Sequence, residues 1–288
     1  MRPLTSDRQY ILFIAPAILV VLGFTLYPAL YGVYISFTNL HFGYKDWRFV
    51  GLDNYIRLLT WPPLAGIALN TVIFVSAVVF LQMSLGLGIA LLLNQRLFGS
   101  RLMRGIAILP WVIPAVIIGL LFQQLFSGSR LGIMNYLLSY LGVGSRAWLS
   151  NPVEAMSIMI LALVWRGVPL SIILQLGGLQ TIPRELYEAA TIDGASRWQA
   201  FWHVTLPSLR PILLINLIMA TSGTLNHVDI PLALTGGAQS TEVLSVALYN
   251  QGFKMLDAGY AATFATLLLV LNLLLTVVYL RLLRQRDG

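Results

Sequence analysis

Cysteine is absent from this 288-residue chain, and charge is scarce: Asp, Glu, Lys and Arg together make up 10%. Without cysteine there is no disulfide framework, no thiolate metal site and no cysteine nucleophile. A soluble domain carries roughly 25% charged residues, so this chain cannot cover a globule with polar surface. A soluble enzyme, a disordered chain and a nucleic-acid module are thereby excluded, although the formal net charge is +7. Also missing are a Gly-x-x-x-x-Gly-Lys-Ser/Thr phosphate loop and a His-Glu-x-x-His metal motif. His41, His203 and His227 lack metal-ligand spacing, and no Ser/His/Asp set stands out. Nothing in these absences favours catalysis or nucleotide binding by this chain.

What is present is apolar: 58% of the residues are aliphatic or aromatic. Charge-free gaps run over 36 residues from Gln9 to Tyr44, 38 from Leu58 to Gln95, 25 from Gly105 to Ser129 and 23 from Ala258 to Leu280. A membrane-crossing helix needs about 20 mostly apolar residues, so each gap holds one. Two further stretches are apolar but interrupted, by Arg166 in one and by Asn216, Asn226 and His227 in the other. The expectation is an all-α membrane protein with six transmembrane helices, near 11–37, 67–94, 105–126, 155–177, 208–230 and 261–283. Pro110 and Pro114 predict a bend in the third. The first stretch is too long for the apolar region of a cleaved signal peptide, about 7–15 residues, and reads as a retained helix.

Orientation follows from the basic residues. Eleven lie on the side of the termini: Arg2, Arg8, Arg96, Arg101, Arg104, Arg184, Arg197, Arg210, Arg281, Arg284 and Arg286. Six lie opposite: Lys45, Arg48, Arg57, Arg130, Arg146 and Lys254. The positive-inside rule then puts both termini in the cytoplasm. The first outer loop, about 38–66, holds Trp47 and Trp61, which suit the membrane interface.

The loop at 178–207 is organised in sequence. Pro183 suits a first helical position, and Arg184 to Asp193 is rich in helix formers. Gly194 permits the left-handed conformation that ends helices. Ser196 and Gln199 have capping-box spacing for a second helix, to which Trp198, Phe201, Trp202 and Val204 give an apolar face. The product is a helix–turn–helix at the cytoplasmic surface, either an interfacial anchor or a docking surface.

Glu188-Ala189-Ala190, three residues, Gly194, nine residues, then Val204-Thr205-Leu206-Pro207 resembles the EAA motif of the permease subunits of binding-protein-dependent ABC importers. Val204 stands where the family has isoleucine. The wider resemblance is to carbohydrate-uptake permeases of the MalF/UgpA type. It extends over nearly the whole chain, through Ala15-Pro16, Tyr27-Pro28, the segment Phe49 to Tyr55, Leu109-Pro110-Trp111 and the segment Leu234 to Gly237. It implies a type I importer permease in the cell membrane, working as a heterodimer with a second permease. Two ATP-binding cassette ATPases would carry the ATP and Mg, so no cofactor is expected on this chain. An extracytoplasmic binding protein would deliver the solute, a sugar or sugar-like molecule. The partners are thus these proteins and the lipid bilayer, with no nucleic acid.

The resemblance assigns coupling to the ATPase to Glu188, Ala189, Ala190, Asp193, Gly194, Leu206 and Pro207. It places Asn226 at a solute-lining position, with His227 and Asp229 beside it, and interhelical hydrogen bonding as the alternative for all three. Tyr249 and Asn250 are further candidates on the solute path, as are Gln123, Gln124 and Asn272. Arg166 has two roles open: contact with an anionic solute, or pairing with Asp229 or Glu154. A permease for another organic solute and a multi-pass membrane enzyme stand as alternative functions.

The cysteine-free chain allows the orientation to be tested without background. Single cysteines at Ser100, Ser196 and Gln285 are expected to resist a membrane-impermeant maleimide added from outside. Labelling at position 196 from outside overturns the assignment.

Overall fold

The structure, a computed structural model, describes residues 7–44, 46–95, 99–129 and 132–284. Of the basic residues used above, Arg2, Lys45, Arg96, Arg130 and Arg286 lie outside the described residues, as does Gln285. Two compact units are distinguished. One comprises the described part of the chain up to Leu64 with Ala247–Leu269; the other comprises Ala65–Val246 with the described part beyond Val270.

In the first unit, α1 (Asp7–Val21) and α2 (Tyr27–Ile35) are joined without interruption by a π turn at Leu22–Leu26. The Tyr27 N–H reaches back five residues to the Leu22 carbonyl. Pro28 follows at once. A proline has no N–H, and its ring crowds the carbonyl four residues earlier. One wide turn ahead of it makes room for the ring without ending the helix. The helical run formed in this way ends at Ile35, two residues before the expected 37.

Beyond it the segment from Phe49 to Tyr55 explains itself physically. Phe49 pairs with Thr38 in an isolated β-bridge, and Gly51 takes φ +59°. The helix α3 (Asp53–Leu59) then presents Asn54, whose buried amide donates to the Ser36 and Thr38 carbonyls at 2.9 and 2.8 Å. That side chain satisfies two carbonyls the first span leaves open at its end. Arg57 pairs with Asp257 at 2.8 Å and lies over the Tyr260 ring.

The second unit opens on α4 (Leu64–Leu93), 30 residues without a charge. α5 (Ser100–Val112) and α6 (Ala115–Leu125) follow, bent by 93° at Ile113–Pro114. Ile113 is extended, with ψ 131°, as the residue before proline prefers. The third expected span is therefore a broken one, and the break sits at Pro114 while Pro110 stays inside α5. α7 (Ile133–Ser139) is short. α8 (Pro152–Thr181) is capped by Asn151, whose side chain accepts from the Val153 and Glu154 N–H groups.

After α9 (Arg184–Ile192) and α10 (Arg197–Ala200), a second π turn at Phe201–Thr205 leads into α11 (Leu206–Leu225). The pattern repeats that of the first span: the Leu206 N–H bonds to the Phe201 carbonyl, and Pro207 comes next. The result is one helical run, Arg197–Leu225. The fifth span thus ends five residues before the expected 230. A break at Asn226–Val228 separates it from α12 (Asp229–Thr235). α13 (Leu244–Tyr249), a third π turn at Asn250–Lys254 and α14 (Ala258–Arg284) complete the described chain. Among the described residues five helices are long and apolar enough to cross a membrane, six with the broken pair. The protein is an all-α, multi-pass membrane protein.

Lipid is as apolar as leucine, so helices in it associate through close packing and hydrogen bonds. The second unit shows both. A Cβ added at Gly86 of α4 would stand 2.6 Å from the Ser171 Cβ of α8, and one at Gly119 of α6 would stand 2.6 Å from the Ala233 Cβ of α12. A buried chain of hydrogen bonds crosses three helices: the Gln82 amide donates to the Ser171 hydroxyl at 3.1 Å, which donates to the Asn216 amide oxygen at 3.1 Å. Phe74, Val78, Met159, Ala162, Ile230 and Leu234 form one apolar cluster. Side chains such as Phe80 and Val112 stay exposed, as lipid-facing residues do.

Gly86→Val is expected to destabilise the protein by about 1–3 kcal/mol, the usual range for overpacking. Gly88→Ala, two residues on with open space around it, is the matched control. Unfolding titrations in mixed micelles distinguish them; equal stability refutes the close α4–α8 approach.

Candidate functional site

The helix–turn–helix is built by local chemistry. Ile182 and Pro183 are extended, so Pro183 caps α9 from outside and Arg184 is the first helical residue, one later than its sequence suggests. The far end closes in a Schellman arrangement. The Ala195 N–H bonds to the Ala190 carbonyl at 2.9 Å and the Gly194 N–H to the Thr191 carbonyl at 3.1 Å, with Gly194 at φ +78°. Ser196 and Gln199 form the capping box in both directions. Tyr187 ties α9 to the membrane helix through a 3.0 Å hydrogen bond between its hydroxyl and that of Thr205. Glu188 and Ala189 are left exposed. A concavity of about 410 Å³ lies between the two helices, lined by Ala189, Ala190, Asp193, Gly194 and His203 among others. Of the expected coupling residues, Leu206 and Pro207 lie apart from it, in the first turn of α11.

A second, smaller cavity of about 90 Å³ lies among α4, α5, α8 and α11. Arg166 opens onto it together with His227, Gln82, Thr224 and the indole of Trp111; Leu163, Leu170 and Met219 supply apolar wall. The close approach at Gly167 admits the Gln82 side chain: a Cβ there would come within 2.2 Å of its amide oxygen. The 93° bend follows Trp111 by two residues. Neither acid suggested as a partner holds Arg166. Glu154 stands 3.9 Å from Arg146, and Asp229 is exposed and off the cavity wall.

The polar cluster at 226–229 divides. His227 lines the cavity, and its carbonyl accepts from the Ser245 hydroxyl at 2.8 Å. Asn226 does not line it. Its amide donates to the Ser222 carbonyl at 2.8 Å and exchanges 3.4 Å contacts with Asn272 of α14, the interhelical alternative. Gln123 and Gln124 are exposed and line neither cavity. Tyr249 and Asn250 belong to the first unit, where Tyr249 stacks on Phe253 and the Asn250 carbonyl closes the π turn. Gln82, Trp111 and Thr224 escaped the sequence reading as wall residues. For Gln82 the signal was an amide in the middle of a 38-residue uncharged stretch.

Residues 82–287 match the family of binding-protein-dependent transport system inner membrane components. The chain belongs to this family. The permease is 38% identical to the trehalose/maltose transport system permease protein MalF of Thermococcus litoralis, over 98% of each chain. It is 34% identical to the sulfoquinovosyl glycerol transport system permease protein SmoG of Agrobacterium fabrum, over 96% of this chain and 91% of that one. In fold it is similar to a chain in the crystal structure of a bacterial ABC transporter involved in import of the acidic polysaccharide alginate. There the TM-score is 0.79 at 21% identity, covering 98% of each chain. The protein is thus a transport subunit, not an enzyme, of an ABC importer.

The Asn226–Asn272 contact gives a measurable coupling. Asn226→Ala and Asn272→Ala are expected to be non-additive in stability by about 0.6–2 kcal/mol, the range for polar contacts within membranes. A double-mutant cycle reads it. Full additivity, with a loss of uptake confined to Asn226→Ala, returns Asn226 to the solute path.

Proposed function

We propose that this permease imports a sugar or sugar-like solute as one half of a heterodimer with a similar permease. Two ATPase subunits power it, with ATP and Mg held on those subunits and none on this chain. An extracytoplasmic binding protein supplies the solute. The observation that carries the sugar reading is the composition of the α4–α5–α8–α11 cavity. Sugar recognition uses an aromatic face for the ring and planar polar groups for the hydroxyls. Trp111 offers the face; Gln82, Thr224, His227 and Arg166 offer the polar groups. The naming of relatives as trehalose/maltose and sulfoquinovosyl glycerol permeases supports the same class.

The helix–turn–helix is the coupling element, on the cytoplasmic side with both termini. Its exposed Glu188 and Ala189 and the concavity beneath them suit a partner's surface. Its second helix runs without a break into α11, which supplies Thr224 to the cavity wall. Movement imposed by the ATPases therefore has a continuous helical path to the solute site. Uptake of radiolabelled maltose, trehalose and glucuronate by proteoliposomes of the assembled importer tests the reading; uptake of none of the three, with intact assembly, refutes it.

Gly194 provides a sharper test. Its added Cβ would meet nothing within 4 Å, so only the positive φ restricts substitution. Gly194→Asn, which tolerates the left-handed region, is expected to keep coupling. Gly194→Val is expected to uncouple ATP hydrolysis from uptake, because a β-branched residue is an outlier there. Equal coupling in both variants contradicts the assignment.

A further inference from the structure

Arg166 is a guanidinium without a counter-charge. It lies at the midpoint of α8, about 20 Å of helix from Pro152 and from Thr181. Arginine stays protonated under all ordinary conditions, and an intramembrane charge is costly unless it is paired or faces a polar cavity. Among the described residues no acid stands within salt-bridge distance of it. Its Nε is fully buried and bonded to nothing, and so is the Nε2 of His227 in the same cavity. Both nitrogens belong to residues that line one cavity, and one of them is part of a fixed cation. Lipid phosphate is too far away: the hydrocarbon core is about 30 Å thick, so a headgroup lies about 15 Å from its middle.

From this geometry we infer that the solute carries a negative charge, a carboxylate, sulfonate or phosphate on a sugar, and that Arg166 receives it. The inference rests on the sugar-permease reading above and deepens it. A planar fork suits an oxyanion through two parallel N–H···O bonds. Gln82 and Thr224, which line the same cavity, remain for hydroxyls. Trp111 serves the ring, charged or not.

The assembled permease complex in lipid nanodiscs, studied by saturation-transfer difference NMR, tests this with three probes: glucose, glucuronate and acetate. Glucose and glucuronate differ only in a carboxylate replacing a hydroxymethyl group. The wild type is expected to bind glucuronate at least about tenfold more tightly than glucose, in line with a charge-assisted pair. Arg166→Gln is expected to remove that preference and leave glucose binding in place, while Arg166→Lys keeps part of it. Equal binding of the two sugars by the wild type overturns the inference, whatever the variants do, and leaves the sugar reading standing. A preference that survives Arg166→Gln overturns it as well. Binding of both sugars no better than acetate removes the sugar reading, and this inference with it.

Discussion

No water is available in a bilayer to bond a free amide or carbonyl, and this chain's architecture answers that constraint. Every span must close its own backbone, yet this sequence places prolines within or beside most of them. Two of the three π turns show how the conflict is met. Ahead of Pro28 and Pro207 the N–H of the preceding residue reaches five residues back instead of four. The helix widens by one residue and continues. At Pro114 the opposite solution is taken: the helix breaks, bends by 93° and restarts. The break lies beside the small cavity, where irregular backbone is tolerated, as broken membrane helices generally show.

Once the backbone is closed, little apolar driving force remains to hold helices together. The second unit relies on glycines that let α4 meet α8 and α6 meet α12, and on the Gln82–Ser171–Asn216 chain of hydrogen bonds. Gln82 is shared between the two tasks. Its amide hydrogens hold Ser171, while its side chain forms part of the cavity wall. Any solute that engages this amide thus touches a group that also joins α4 to α8.

Local features were legible in the sequence. Gly194, Ser196 and Gln199 define their turn through bonds spanning no more than five residues, so spacing alone reveals it. Non-local features were hidden. Asn226 reads as a solute ligand in sequence, and only the fold shows Asn272, 46 residues away, beside it. Arg166 invites an acidic partner, and only the fold shows that Glu154 is taken by Arg146. The wall formed by Gln82, Trp111, Thr224 and His227 draws on residues more than a hundred positions apart, and no periodicity joins them. Pro207 looks like a helix boundary, because proline normally ends one; a wide turn removes the boundary without leaving any mark in the composition.

That missing boundary has a mechanical consequence. Arg197–Leu225 is a single rod of 29 residues, about 44 Å long at 1.5 Å per residue. A lever of that length turned by about 5° at its Trp198 end swings the Thr224 end by about 4 Å. Hydrogen bonds fail once stretched much beyond about 3 Å. Such a pivot moves Asn216 by about 2 Å as well, so the motion that separates the Thr224 hydroxyl from anything it held also loosens the Ser171–Asn216 bond. Grip and release of cargo at that wall need no rearrangement of the wall itself, only a change in the angle of the one shaft that carries part of it.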